Sequence, residues 1–289
     1  MKIQILCRDF SGLTGSEVYN YELAVALLKM GHTVQLESLN DSGLHKHFEN
    51  ELTKYENFAY SYPTSDVDLL IFSQHETIDH YISHYHVTLK NIPKLQICHH
   101  ETYPNERPHP AMDMHVSCRE FDNLFCIGNP IDLERFNAKD SWSLNNIGNH
   151  SYGLFIGSID VIRYPVLLKL SKQASNILVV GRNDYPKIPG ITYMDPNFDS
   201  IPFFIKNAAY CIGVSNGRTM IESLACGTPY YNYNFEEESF SEVCLPSHLD
   251  SQESLTKFEE LHGSMHVAKR LLNYFEEWKQ ANLTNDTSQ

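Results

Sequence analysis

The stretch Val-Ser-Asn-Gly-Arg-Thr-Met-Ile-Glu, residues 214–222, combines small polar residues, a glycine, an arginine and a carboxylate within two helical turns. It follows the apolar run 208–214, Ala-Ala-Tyr-Cys-Ile-Gly-Val, which reads as a buried strand. Ser215 and Asn216 are good helix N-caps, and Gly217 lets a ligand approach the backbone closely. A helix is expected from about Arg218 to Cys226, stopped by Gly227 with Pro229 beyond it. Strand, polar turn and helix in this order leave backbone N–H groups and the positive helix end facing outward, the elements of a phosphate site. Glu222, one turn inside, is placed to accept hydrogen bonds from sugar hydroxyls beside that phosphate. The same order also describes an ordinary parallel-sheet crossover with Glu222 facing water.

Other groups with chemical potential end strands earlier in the chain. Lys2 to Cys7 reads as a first buried strand, followed by a turn containing Gly12, Gly15 and Ser16 and by a helix with Val18, Tyr21, Ala24, Val25 and Leu28 on one face. Gly31 closes that helix before a second strand, Thr33 to Leu36. The turn lacks G-x-G-x-x-G spacing, so a dinucleotide reading is weak. Asp68 to Ser73 and Leu95 to Cys98 are further strands, and His99 and His100 end the latter, at the edge where open α/β sheets bind ligands. Glu76, His80 and His84 stand four residues apart and would share a helical face. That spacing fixes no third strong ligand, so no metal is assigned.

Several of these segments, taken in order, resemble the retaining GT-B glycosyltransferases of family 4. Glu222, Ser223, Leu224, Ala225, Cys226, Gly227, Thr228 and Pro229 match that family's Glu-Ala-Met-Ala-Cys-Gly-x-Pro segment. The opening strand, glycine turn and Gly31-His32-Thr33-Val34 resemble the start of its acceptor domain. Asn129, Ile131, Asp132 and Phe136 match its Asn-Gly-Val-Asp-x-x-x-Phe segment, with Pro130 in place of the glycine. Two departures are plain: Val214 stands where the family carries a second glutamate, and Ser158 where it carries an arginine.

The resemblance implies an α/β chain of the GT-B class, two Rossmann-like domains facing across a cleft. The boundaries expected are 1–137 for the acceptor-side domain, 138–270 for the nucleotide-sugar domain, and 271–289 for a final helix and polar tail. It further implies donor contacts at Gly15, Ser16, Gly157, Arg163, Arg182, Ser215, Asn216, Gly217, Arg218, Thr219 and Glu222. Arg163, six residues after Gly157, takes the place of the family's phosphate-binding lysine and keeps a bidentate cation there. Either Arg182 or Arg218 is a source for the charge missing at Ser158. His99 or His100 would reach the transferred sugar, and with Glu222 they form the expected catalytic set.

Composition narrows the remaining choices. The 289 residues carry 22 Lys and Arg against 36 Asp and Glu, a net charge of −14, which argues against a nucleic-acid partner held by bulk electrostatics. The seven cysteines form no C-x-x-C pair, as expected of reduced thiols in the cytoplasm. No stretch reaches the roughly 18 apolar residues of a membrane span. The expected activity is transfer of a sugar from a nucleotide diphosphate sugar to the hydroxyl of an unidentified glycan, lipid-linked or small-molecule acceptor, with no cofactor and no metal. The alternatives are a degenerate nucleotide-sugar-binding subunit and a GT-B sugar-nucleotide epimerase.

Overall fold

The computed structural model describes residues 1–40, 43–99, 104–121, 123–137, 152–195, 197–215, 217–243 and 252–286. They divide into two compact units: Met1–Ile131 with Lys257–Gln289, and Asp132–Thr256.

The first unit is built on seven strands: β1 (Lys2–Cys7), β2 (Thr33–Ser38), β3 (Phe58–Tyr60), β4 (Leu69–Phe72), β5 (Lys94–Cys98), β6 (Met114–Ser117) and β7 (Phe125–Cys126). All are parallel, in the order β3-β2-β1-β4-β5-β6-β7. Leu69, Leu70, Ile71 and Phe72 are all buried, as a central strand covered on both faces requires. Three helices follow strands: α1 (Gly15–Lys29), α2 (Lys46–Leu52) and α3 (His75–Leu89). Leu6, Leu70 and Phe72 pack with Ile78 and Tyr81 of α3 in one buried cluster. The strand order reverses between β1 and β4, and there the Gln74 side chain accepts from the Arg8 backbone N–H at 3.2 Å, tying the two strand ends together. Asn20 and Ser73 exchange hydrogen bonds of 2.9 and 3.1 Å beneath them. The crevice at such a reversal is where sheets of this kind take ligands.

The second unit repeats the plan after a short α4 (Leu133–Asn137). Its strands are β8 (Gly153–Ile156), β9 (Ile177–Val180), β10 (Ile191–Met194), β11 (Tyr210–Gly213), β12 (Tyr230–Asn234) and β13 (Ser239–Val243), and its further helices are α5 (Arg163–Gln173), α6 (Ile201–Asn207) and α7 (Arg218–Ala225). The order is β10-β9-β8-β11-β12-β13, parallel except for β13. Phe155, Val179 and Ile212 pack with Leu167 and Leu170 of α5 in its core. Here the reversal lies between β8 and β11.

The chain returns to the first unit within α8 (Gln252–His262), and α9 (Ser264–Asp286) completes that unit. Residues 257–270, expected in the second domain, therefore belong with the first. The cause is packing: Val267, Ala268, Leu271 and Phe275 recur at helical spacing, are buried, and α9 lies against α1. The join is made by backbone bonds on either side of Ile131, which donates to His262 at 2.8 Å and accepts from Ser264 at 3.1 Å.

Candidate functional site

In the second unit, the ends of the neighbouring strands β8 and β11 carry most of the expected donor residues. Gly157 closes β8 with φ +142°, a backbone open to glycine and strained for other residues. The loop after it is tied down by Asp160, whose Oδ1 accepts from the N–H groups of Ile162 (3.0 Å) and Arg163 (2.8 Å) at the start of α5. The Arg163 guanidinium folds back onto the Asp160 carboxylate and reaches the Ser158 carbonyl at 3.4 Å. Its side chain keeps 31% of its surface open. An anion arriving there meets a cation that is already oriented.

The turn after β11 is shaped from below. Tyr230, buried on β12, sends its hydroxyl past Gly213 to donate to the Ser215 carbonyl at 2.7 Å. A Cβ at Gly213 would lie 1.9 Å from that oxygen, so only glycine admits the tyrosine. Burial pushes the Tyr230 hydroxyl pKa up, and the Arg163 charge opposes the shift. Gly217, not Ser215, is the N-cap of α7, and among the described residues no side chain caps the first turn. Ser215 instead spends its carbonyl on Tyr230; Asn216 lies outside the described residues.

Glu222 does not face water. Its Oε1 accepts from Arg218 Nε at 2.7 Å across one helical turn and stands 4.0 Å from Arg135 Nη2. The three side chains are 7%, 10% and 16% exposed in the order Glu222, Arg218, Arg135. Arg135 also covers the Phe198 ring, 3.7 Å from its centroid. A carboxylate buried between two guanidiniums is rigidly placed. Arg182, at the end of β9, behaves differently: its side chain is 76% exposed and pairs with Asp184 at 3.0 Å. It forms no part of the buried cluster.

In the first unit Gly15 opens α1, preceded by Thr14, whose N–H donates to the Glu17 carboxylate at 2.7 Å. Burial raises the pKa of that carboxyl. A Cβ on Gly15 would meet nothing within 4 Å, and Ser16 is half-buried beside it. His99 ends β5, and the buried Tyr19 of α1 meets its ring edge-on at 4.7 Å between centroids. Burial, helped by the Arg119 charge, lowers the His99 pKa to about 3, so the imidazole is neutral. Its Nε2 is buried with no hydrogen-bond partner among the described residues. Arg119 fixes the backbone, donating to the His99 carbonyl from Nε at 3.0 Å and Nη2 at 2.8 Å. His100 lies outside the described residues.

The histidine face of α3 holds no metal arrangement. His80 and His84 stack on each other at 4.1 Å, and Glu76 accepts from Asn105 at 3.4 Å. Among the described residues no group of three or more His, Cys, Asp or Glu side chains is placed to hold an ion. Three site residues escaped the sequence reading. Asp160 had a readable signal, a carboxylate just before a helix; Tyr230 and Arg135 had none, because each acts on a partner remote in the chain.

No known family model matches the sequence, and no curated protein matches it. Solved structures do match in fold. An α-glucosyltransferase in complex with UDP-glucose and DNA containing an abasic site is 16% identical, with a TM-score of 0.56 over 93% of this chain and 92% of that one. The lipopolysaccharide outer core galactosyltransferase WaaB is 11% identical, with a TM-score of 0.56 over 96% and 100%. A Listeria monocytogenes protein assigned as a UDP-N-acetylglucosamine 2-epimerase is 14% identical, with a TM-score of 0.55 over 96% and 97%. No described helix is long and apolar enough to cross a membrane. At these identities the likeness is one of fold, and the fold is the GT-B type, built from two Rossmann-like units.

Proposed function

We propose that this chain is a retaining, metal-independent glycosyltransferase that moves a sugar from a nucleotide diphosphate sugar to an acceptor hydroxyl. The observation that carries this reading is the strand reversal of the second unit, where Arg163, the turn after β11 and the Arg218–Glu222 pair all sit at the ends of β8 and β11. Arg163 and Arg218 take the donor diphosphate, Arg218 supplying the charge that Ser158 lacks. Glu222 holds Arg218 through Oε1 and offers Oε2 to a ribose hydroxyl. Gly15 and Ser16 serve the donor, and the neutral His99, or else His100, serves the transferred sugar, as in the family the sequence resembles.

In the reaction the bond from the anomeric carbon to the leaving phosphate oxygen breaks while the acceptor oxygen bonds to the same face of that carbon. The acceptor proton passes to the departing phosphate. Guanidinium groups already oriented toward the leaving oxygens stabilise the charge that develops there. Double displacement through a carboxylate is disfavoured because Glu222 is enclosed by two arginines and poorly suited to attack. A cytoplasmic setting fits the six described cysteines, all of them free thiols.

A second reading, sugar-nucleotide epimerase, is favoured by the fold likeness to the Listeria protein. Calorimetry and thermal shift against UDP-, GDP-, ADP-, CMP- and dTDP-sugars test the shared donor site, and binding of none of them overturns it. NMR of the products then separates the readings: a new glycoside with the donor's anomeric configuration supports transfer, and inversion at a ring carbon without acceptor supports epimerisation. Binding without either reaction identifies a degenerate subunit.

A further inference from the structure

His99 is bound at its backbone and unbound at its ring. Its carbonyl accepts from Arg119 Nε and Nη2 and from the Cys118 thiol at 3.3 Å, while its buried Nε2 has no hydrogen-bond partner among the described residues. An imidazole with no hydrogen bond at that nitrogen takes its orientation from the side chains packed on it. The aromatic neighbour is Tyr19, in the second turn of α1, whose ring stands at 90° to the imidazole with 4.7 Å between centroids.

Tyr19 is itself fixed at its far end. The side chain is buried, and its hydroxyl donates to the Gly128 carbonyl at 3.1 Å, so the ring cannot turn without giving up that bond. Gly128 has φ +85°, and a Cβ there would lie 2.1 Å from the Leu261 carbonyl oxygen, so only glycine lets the chain pass so close to the end of α8. Arg270 of α9 clamps the same place. Its guanidinium donates to the carbonyls of Ile127, Glu260 and Leu261, Nε reaching Ile127 at 3.1 Å. A continuous line of contacts thus runs from α9 through residues 127–128 and Tyr19 to the His99 ring, all of it inside the first unit.

We propose that Tyr19 is a positioning residue that sets the plane of the His99 imidazole, and that Arg270, in the returning C-terminal segment, fixes Tyr19 through the Gly128 carbonyl. This role rests on the reading that His99 serves the transferred sugar, and it names what aims the ring. Burial keeps the imidazole neutral. A neutral imidazole carries no net charge to act at a distance; it works only through the directions in which its lone pair and its N–H point, so a turn of the ring is felt in the reaction.

The test joins steady-state kinetics, with UDP-glucose as donor and water as acceptor, to NMR of the full chain carrying isotope-labelled histidine. Tyr19→Leu, which removes the packed ring, should lower kcat at least about tenfold with KM unchanged, since a misplaced catalytic group slows the chemical step. Tyr19→Phe, which keeps the ring and loses only its anchor, should fall between that variant and the wild type, and it decides the matter if Tyr19→Leu folds poorly. Neither should lower kcat further in a His99→Gln background, whereas a merely structural role would slow both backgrounds alike. The His99 ring resonances, assigned by their loss in His99→Gln, should move in Tyr19→Leu and, by less, in Tyr19→Phe and Arg270→Lys. That readout needs no substrate, so it decides the positional claim even where UDP-glucose is not turned over. Resonances that stay in place in the folded variants, or equal losses of kcat in both backgrounds, overturn the proposal alone. Full activity of His99→Gln overturns it together with the reading of His99.

Discussion

The hydroxyl of Tyr230 reaches the carbonyl of Ser215 at 2.7 Å by crossing directly over Gly213, so one strand sets the shape of the turn that ends its neighbour. Gly213→Ala should destabilise the protein by about 1 to 3 kcal/mol, since a methyl there overlaps the tyrosine oxygen. Tyr230→Phe should cost about 1 kcal/mol through one lost hydrogen bond. The double variant should be less destabilised than the sum, because removing the oxygen relieves the overlap. Urea unfolding of all four proteins gives the coupling, and strict additivity contradicts the account.

Glu222→Ala strands two guanidiniums in a buried place, whereas Arg163→Ala changes a partly open side chain. The first should lose about 3 kcal/mol of stability as well as donor affinity. The second should lose donor affinity by about 1 to 3 kcal/mol while its stability stays within about 0.5 kcal/mol of wild type. Calorimetry and denaturant unfolding run side by side check the contrast. Equal stability of the two variants would mean that the buried cluster is not formed.

Gly15 is surrounded by open space and lies in the first turn of α1. Replacing it by alanine should leave stability unchanged or raise it by up to about 1 kcal/mol. If substrate occupies that space, turnover should fall at least tenfold in the same variant. A fully active Gly15→Ala enzyme removes this residue from the site.

Stability should fall on mild acidification. His99 and His262 have pKa values lowered from 6.5 to about 3 and about 4, chiefly by burial. Between about pH 6.5 and those values the unfolded chain binds protons that the native one refuses, so unfolding becomes easier as pH drops. Glu37 has the opposite sign: its raised pKa makes the native state hold a proton that the unfolded state releases, so its contribution weakens from about pH 4.5 up to about 8. His99→Gln should flatten the acid limb of a plot of unfolding free energy against pH, and Glu37→Gln should be more stable than wild type above pH 8 but not at pH 4. Parallel curves for all three proteins would refute these assignments.

The α-glucosyltransferase of similar fold was crystallised with DNA, but this chain carries a net charge of −14. A net charge so negative repels a polyanion. Fluorescence anisotropy with a labelled 13-mer duplex is expected to show no binding at physiological salt. Salt-sensitive binding in the micromolar range would point to a local basic patch and to a nucleic-acid acceptor.

Local pattern revealed most of the scaffold. The run Lys2–Cys7 is a strand with the bounds expected, and the strands expected over Asp68–Ser73 and Leu95–Cys98 differ from β4 and β5 by at most one residue at each end, because apolar sequence between turn residues allows little else. The short β3 and α2 carried too little periodicity to read, and β13 is a solvated edge strand. At the candidate site, the strand, turn and helix over residues 208–225 were legible because their order depends on local sequence. The surroundings of Glu222 were not, since Arg135 comes from a separate helix and no spacing rule joins them. The helix start at Arg218 was as expected, but its cap is Gly217 rather than Ser215, whose carbonyl Tyr230 claims.

The return of α9 to the first unit has a consequence for synthesis. A ribosome delivers the chain from Met1 onward, yet α1 cannot bury its outer face until Val267, Leu271 and Phe275 have emerged. The inserted unit, Asp132–Thr256, has all of its sequence available first. The half of the molecule that is made earliest is thus the last to be finished, and a nascent chain stopped short of residue 264 leaves α1 exposed for chaperones to cover.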